Sequence, residues 1–310
     1  MVSFAVELGL FLAGLVALVV GAERAVAAAA DIARFYGVSA FFVGVTVISV
    51  GTSVPEMTTS VYAALYGAGD IVVGNIVGSE TAQITLAIGI VALISPIVAE
   101  RRNVLVYGGA MTLAMIVRLL TLDDGRIQRS EGFLMMLAYV NFVYTLYTNE
   151  GGTDITEEVV DEERGRPERA LPWVVAGLAL VVVGGNLLVT NGVALARVAG
   201  VPEYTIGLLT GLGTTAPEIV VAGVAAHRGH EGISIGSLLG SNITDPVFSL
   251  GVGALVADVV VTDLAAMTRT ASYMLLVSFV VIGLLYWRRG LSRRLALVCL
   301  LLYVPSVVLL

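Results

Sequence analysis

Ten apolar stretches run through the 310 residues of this chain, at roughly 4–22 (extending toward 35), 38–66, 71–94, 104–122, 131–149, 171–197, 203–226, 233–257, 267–286 and 295–310. Stretches of bilayer-spanning length recur among them, and lipid offers backbone N–H and C=O groups no partners, so helices are the economical way to fold them. With 57% hydrophobic and 13% charged residues and a mean hydropathy of +0.94, the chain is predicted to be an all-α integral membrane protein. Its first apolar run has no basic residue before it, while Arg24 and Arg34 follow, the reverse of a secretory signal peptide. The single cysteine, Cys299, lies in the last run; it excludes an internal disulfide and reads as a small packing residue.

The chain is a duplication. Gly51-Thr-Ser-Val-Pro-Glu56 is matched by Gly213-Thr-Thr-Ala-Pro-Glu218, and Gly74-Asn-Ile-Val-Gly-Ser79 by Gly236-Ser-Leu-Leu-Gly-Ser241; both pairs stand 162 residues apart. Between the halves, Glu150 to Arg169 carries eight acids: Glu150, Asp154, Glu157, Glu158, Asp161, Glu162, Glu163 and Glu168. It reads as a solvated tether. Three parts follow: a first five-helix repeat over 1–149, an acidic cytoplasmic linker over 150–170, and a second repeat over 171–310.

Five is odd, so the second repeat must enter the membrane from the side opposite the first, and the duplication is inverted. With the N-terminus outside, the arginines sort as 12 inside (24, 34, 101, 102, 164, 166, 169, 228, 288, 289, 293, 294) and five outside (118, 126, 129, 197, 269). The positive-inside rule therefore predicts an external N-terminus and an internal linker. Inverted repeats are common in secondary transporters, where broken helices supply ligands near the midplane.

The repeated motifs carry the chemistry. Pro55 and Pro217 have no N–H, so the carbonyls of Gly51 and Gly213 are expected to leave the helical ladder. Thr52 and Glu56, Thr214 and Glu218, Ser79 and Gln83, and Ser241 and Asp245 are each four apart and share a helical face. Asn75, Ser79 and Gln83 form a polar stripe whose counterpart is Ser237, Ser241 and Asp245. Gly74/Gly78 and Gly236/Gly240 are small-residue pairs that allow close helix approach. The expected product is a cation site of hard oxygen ligands. Calcium takes six to eight such oxygens; sodium accepts the same ones but needs more ions to balance the same acids. Glycine and proline alone often mark only a kink, but four motif copies with matched offsets and two central glutamates favour a site.

Other candidates are weaker. His227 and His230, with Arg228, read as solvated loop residues rather than a metal site. The acidic linker lacks a calcium-loop pattern. Trp173 and Trp287 fit an interfacial belt.

At the motif residues the chain resembles the cation/calcium exchanger superfamily, in particular prokaryotic sodium/calcium exchangers, whose repeats read G-T-S-x-P-E and G-N-x-x-G-S-N. The resemblance implies ten helices in two inverted five-helix repeats, with helices 2, 3, 7 and 8 interrupted to form the ion-binding core. It implies that Glu56 and Glu218 bind calcium and share sodium, joined by Thr52, Ser53, Thr214, Thr215, Ser79, Ser241, Gln83 and Asp245. Two departures stand out: Glu80 follows Gly78-Ser79 where Asn is usual, and Gln83 stands where Asn or Asp is usual, while Asn242 keeps the family residue. Glu80, Asn75 and Asn242 are therefore candidate modulators.

The expected function is sodium/calcium antiport in a prokaryotic cell membrane, with calcium, sodium and lipid as partners, no nucleic acid and no resident cofactor. Proton-coupled exchange of calcium or another divalent ion is the runner-up. An intramembrane aspartyl protease, which also needs two facing acids, and a channel are the alternatives of other classes.

Overall fold

The computed structural model describes residues 4–99, 101–150, 167–200 and 213–309. The acidic linker and the 203–212 part of the expected seventh span therefore lie outside the described residues, apart from the linker's ends. The helices, in chain order, are α1 (Phe4–Tyr36), α2 (Ala40–Thr52), α3 (Val54–Tyr66), α4 (Gly69–Ile94), α5 (Arg101–Thr121), α6 (Arg129–Glu150), α7 (Pro167–Val198), α8 (Ala216–His227), α9 (231–256), α10 (Leu264–Arg288) and α11 (Arg293–Leu309). Four two-residue strands cap the bundle: β1 (Ile97–Val98), β2 (Arg126–Ile127), β3 (Val259–Val260) and β4 (Gly290–Leu291). Among the described residues five helices are long and apolar enough to span a membrane, and α2 with α3 makes a sixth.

These strands reveal the inversion. β1 leads into α5 and β2 follows it; β3 leads into α10 and β4 follows it. β1 pairs antiparallel with β4 (Ile97↔Leu291, Val98↔Gly290) and β2 with β3 (Arg126↔Val260, Ile127↔Val259). The start of α5 thus lies at the end of α10, so these equivalent helices run in opposite directions. At the β2–β3 end, Asp258 accepts from Arg126 Nε at 3.0 Å and from the Arg129 amide at 3.3 Å. The hydrogen bond from the Arg126 guanidinium holds the Asp258 carboxyl below the usual carboxylate range.

The centre of the bundle is α4 and α9, and its flank is α1 and α7. In its most apolar stretch α4 is 78% buried and α1 only 17%, which assigns α4 to protein neighbours and α1 largely to lipid. α1 and α7 pack antiparallel through a glycine seam. Gly14 faces Gly184 and Leu188, and Gly21 faces Gly177 and Val181; a Cβ on Gly184 would come within 2.5 Å of the Leu18 amide. Such seams let helix backbones approach where the surrounding lipid supplies no hydrophobic drive.

The broken spans differ from expectation in a definite way. Pro55 and Pro217 sit in the first turns of α3 and α8, where a missing N–H is harmless, so each proline begins a helix rather than kinking one. Ser53, at φ −79° and ψ 5°, interrupts the ladder, and α2 and α3 meet at a 46° bend. The third and eighth spans, expected to be interrupted, are continuous: α4 passes through a π-helical turn at Gln83–Ala87 and α9 through one at Asp245–Ser249. A π turn carries one residue more than the α ladder and reorients the side chains around it. Arg118, assigned by sequence to the outer loops, is instead fully buried near the end of α5.

The seam gives a direct test. Gly184→Val is expected to cost about 1–3 kcal/mol, measured as a lower melting temperature in detergent. Gly9→Val on α1, where no described atom lies within 4 Å, is expected to leave it unchanged.

Candidate cation site

Glu56 and Glu218 occupy the first turns of α3 and α8, 1% and 0% exposed. All four of their carboxylate oxygens lack a hydrogen-bond partner among the described residues. A helix N-terminus presents unsatisfied N–H groups and the positive end of the dipole, so the two breaks place acids where they are tolerated. That accounts for the Pro-Glu order: the proline starts the helix and the glutamate follows in its first turn.

The π turns supply the third acid. Asp245 opens the turn in α9 and its counterpart Gln83 opens the turn in α4; Gln83 Nε2 donates to Asp245 Oδ2 at 3.3 Å across the two halves. Asn242 Nδ2 donates to Gln83 Oε1 at 2.9 Å, and Ser249 Oγ donates to Asp245 Oδ1 at 3.3 Å. Glu56, Glu218 and Asp245 lie close enough to feel one another's charge, with Thr52 beside Glu218 and Ser53 beside Asp245. The buried hydroxyls of Ser53, Ser60, Ser79 and Ser241 have no hydrogen-bond partner among the described residues. Thr215 is fully buried, and Thr214 Oγ1 donates to Asn75 Oδ1 at 3.4 Å.

The structure thus brings Glu56, Glu218, Asp245, Gln83, Asn242, Thr52 and Ser53 into one polar interior. Glu80 turns elsewhere: its Oε2 accepts from Arg118 Nη1 in a fully buried ion pair. Among the described residues no three carboxylate, imidazole or thiol groups are placed to hold a metal, so a cation here must draw on hydroxyl, carboxamide and main-chain oxygens as well. His227 and His230 fall in no such group. Sequence reasoning missed Ser49, Thr244 and Tyr139, which link behind the site: Ser49 Oγ and Thr244 Oγ1 are 2.7 Å apart and Thr244 Oγ1 donates to Tyr139 at 3.2 Å. A buried hydroxyl in an apolar run was the available signal for Ser49 and Thr244. Nothing in the sequence marked Tyr139.

The halves are unequally packed. On α9 the stripe Ile233, Gly236, Ser237 and Gly240 is buried against α2; a Cβ on Gly236 would lie 2.5 Å from the Phe41 carbonyl. On α4 the equivalent stripe is less buried: Ile71 is 67% exposed where Ile233 is 0%, Gly74 is exposed, and Asn75 and Gly78 are half-buried, while the counterparts of the α2 residues that cover α9, within 203–212, lie outside the described residues. This open side lies toward the β2–β3 end, where Asp70 accepts from the amides of Thr262 and Asp263. A cavity of about 220 Å³ lies there, with Asp70, Gly74, Val77, Asp263, Met267 and Thr270 in its walls. Meanwhile α7 touches both motifs: Leu178 packs on Gly51, Val189 on Gly213, and Gly185 on Pro217. Thiol labelling tests the asymmetry. A membrane-impermeant maleimide is expected to modify Asn75→Cys and to spare Ser237→Cys; Cys299, fully buried, contributes little background.

Comparison with known proteins agrees with this arrangement. The family model described as sodium/calcium exchanger protein matches residues 6–148 and again 169–310. The inner membrane protein YrbG of Escherichia coli is 34% identical over 291 residues, covering 91% of this chain and 89% of that one. The sodium/calcium exchanger MaX1 of Methanosarcina acetivorans is 28% identical over a 342-residue alignment, covering 97% of each chain. Among solved structures, the sodium-calcium exchanger NCX_Mj soaked with 10 mM Na+ and zero Ca2+ aligns with a TM-score of 0.82 at 28% identity, over 99% of both chains. Matched in both halves and alike in fold along nearly its whole length, this chain belongs to the sodium/calcium exchanger protein family.

Proposed function

We propose that the protein exchanges sodium for calcium by alternating access at one midplane site. The ligands are Glu56, Glu218 and Asp245 with Thr52, Ser53, Thr214, Thr215, Ser79, Gln83 and Ser241, and Asn75 and Asn242 tune them. The observation that carries this reading is the four buried carboxylate oxygens of Glu56 and Glu218, unpaired among the described residues and placed at two equivalent helix starts. Charges held in this way call for a cation, and none of the described side chains forms an ion pair with either glutamate. Calcium suits a flexible set of six to eight oxygens, and several sodium ions balance the same acids.

Ten spans in two inverted halves, 1–149 and 171–310 joined by the acidic linker at 150–170, give the transport scheme. The open stripe on α4 and the closed stripe on α9 are equivalent positions, so exchanging their packing produces the opposite-facing state. α1 and α7, joined by their glycine seam and seated on both motifs through Leu178 and Val189, are the gate that moves against a core of α2, α3, α4, α8 and α9. Closing the gate over bare carboxylates is unfavourable, so only ion-loaded forms cross, and exchange is obligatory. With the N-terminus outside, as the arginine distribution favours, the open side faces out. Three sodium ions against one calcium would move one net charge per cycle, worth about 2.3 kcal/mol per 100 mV.

Calcium flux into proteoliposomes tests the reading: uptake is expected to require an opposing sodium gradient. Uptake that ignores sodium and follows a pH gradient would overturn it in favour of proton coupling. Glu56→Gln and Glu218→Gln are each expected to abolish calcium binding measured calorimetrically. Gly74→Leu, placed on the open stripe, is expected to leave calcium binding in place while stopping exchange, because the added side chain blocks closure on that side.

A further inference from the structure

A guanidinium without exposure stands one helix away from the carboxylates. Arg118 on α5 is 0% exposed, as is its partner Glu80 on α4. Arg118 Nη1 donates to Glu80 Oε2, while Glu80 Oε1 and Arg118 Nε and Nη2 have no partner among the described residues. A buried ion pair with such incomplete hydrogen bonding is seldom more stable than two apolar side chains of similar size, so stability is a poor account of it. Its position offers a better one. Glu80 lies one turn before Gln83, whose amide donates to Asp245. Its counterpart in the second half, Asn242, is neutral and donates to that same Gln83. The fields of Glu80 and Arg118 both reach Asp245.

Charge counting shows what the pair does. Glu56, Glu80, Glu218 and Asp245 are the buried acids among the described residues, and Arg118 is the buried base, so four negative charges are reduced to three. We propose that Arg118 is a resident counter-cation of the ion site, which neutralises Glu80 and so holds the charge offered to transported ions at that of Glu56, Glu218 and Asp245. Arg118 touches no transported ion; it acts through Glu80. Because a divalent ion gains twice as much as a monovalent one from each added negative charge, this neutralisation sets the balance between calcium and sodium. The inference rests on the sodium/calcium reading of the site.

Calorimetric calcium binding to the purified full-length protein, with and without sodium, tests it in four variants. Arg118→Gln leaves Glu80 without its counter-charge and, measured at alkaline pH where that buried acid stays ionised, is expected to tighten calcium roughly tenfold, with a smaller gain for sodium. Glu80→Gln frees the guanidinium toward Asp245 and is expected to weaken calcium roughly tenfold. The double variant Glu80→Gln/Arg118→Gln is expected to return to within about threefold of the parent, because the net charge is restored. A purely structural pair would instead shift both single variants the same way, and that result would overturn the proposal. Should either single variant fail to fold, Glu80→Gln/Arg118→Lys, which keeps a cation without its acid, is compared with Glu80→Gln/Arg118→Gln. Roughly tenfold weaker binding in the lysine variant supports the proposal; equal affinity overturns it. A parent protein that binds no calcium at all would sink the functional reading itself, a result none of the variants can mimic.

Discussion

Two buried glutamates whose carboxylate oxygens find no hydrogen-bond partner among the described residues are the constraint around which this structure is arranged. A carboxylate removed from water costs several kcal/mol even after relaxation, and a helix N-terminus returns only about 0.3–1 kcal/mol, reaching about 2 in partly buried geometry. The breaks before α3 and α8 thus reduce the cost of Glu56 and Glu218 without cancelling it. On the proposed function the remainder is left for cations, and that would make occupancy and conformation interdependent. A site fully satisfied by its own side chains would have no reason to wait for an ion before closing.

Inversion gives that constraint its geometry. Because β1 pairs with β4 and β2 with β3, the equivalent helices α5 and α10 run in opposite directions. Each half contributes one acid at a helix start and, to the Gln83–Asp245 contact, one π turn; α2 in the first half carries a further π turn at Gly44–Ile48. The same relation accounts for the unequal packing of α4 and α9. In the proposed scheme two halves built from one plan are not both closed against their neighbours at once, and here α9 is closed on α2 while the equivalent described positions of α4 are more exposed.

Much of this was legible in the sequence because it is written in local or periodic terms. Apolar run length dictated helices and the 162-residue offset dictated duplication, and the opposite courses of α5 and α10 agree with the inversion expected from an odd number of spans. Ser241 and Asp245 share a face of α9 because four residues is one helical turn, whereas Thr52 and Glu56, equally spaced, fall on either side of the break at Ser53, and Thr52 lies beside Glu218 instead. What stayed hidden depends on helix pairing. Gly14, Gly21, Gly177 and Gly184 are unremarkable among 35 glycines until α1 and α7 are set side by side. Arg118 sits near a helix end, where the arginine rule assumes a loop; its partner lies 38 positions away on another helix. The π turns were also invisible, since Gln83–Ala87 and Asp245–Ser249 look like ordinary helix, and Pro246 near the start of the second has no counterpart in the first.

Departure from symmetry is the remaining design problem. At the positions that meet across the two halves, an exact repeat would set Asp against Asp or Gln against Gln. Two aspartates would repel at hydrogen-bond distance, and two glutamines would leave the site one acid short. Gln83 against Asp245 gives a donor to an acceptor and keeps a single charge at the meeting point. The same logic runs one turn earlier, where Asn242 is neutral and uses its amide to orient Gln83, while Glu80 cannot donate and would add charge. A buried acid there is compatible with the site only if something cancels it, and Arg118, reaching in from α5, is the buried base among the described residues that does so. On the proposed role of Arg118, the asymmetry of the repeats is a condition on the charge of the site: once glutamate occupies position 80, a buried base on a neighbouring helix becomes part of the ion-binding electrostatics.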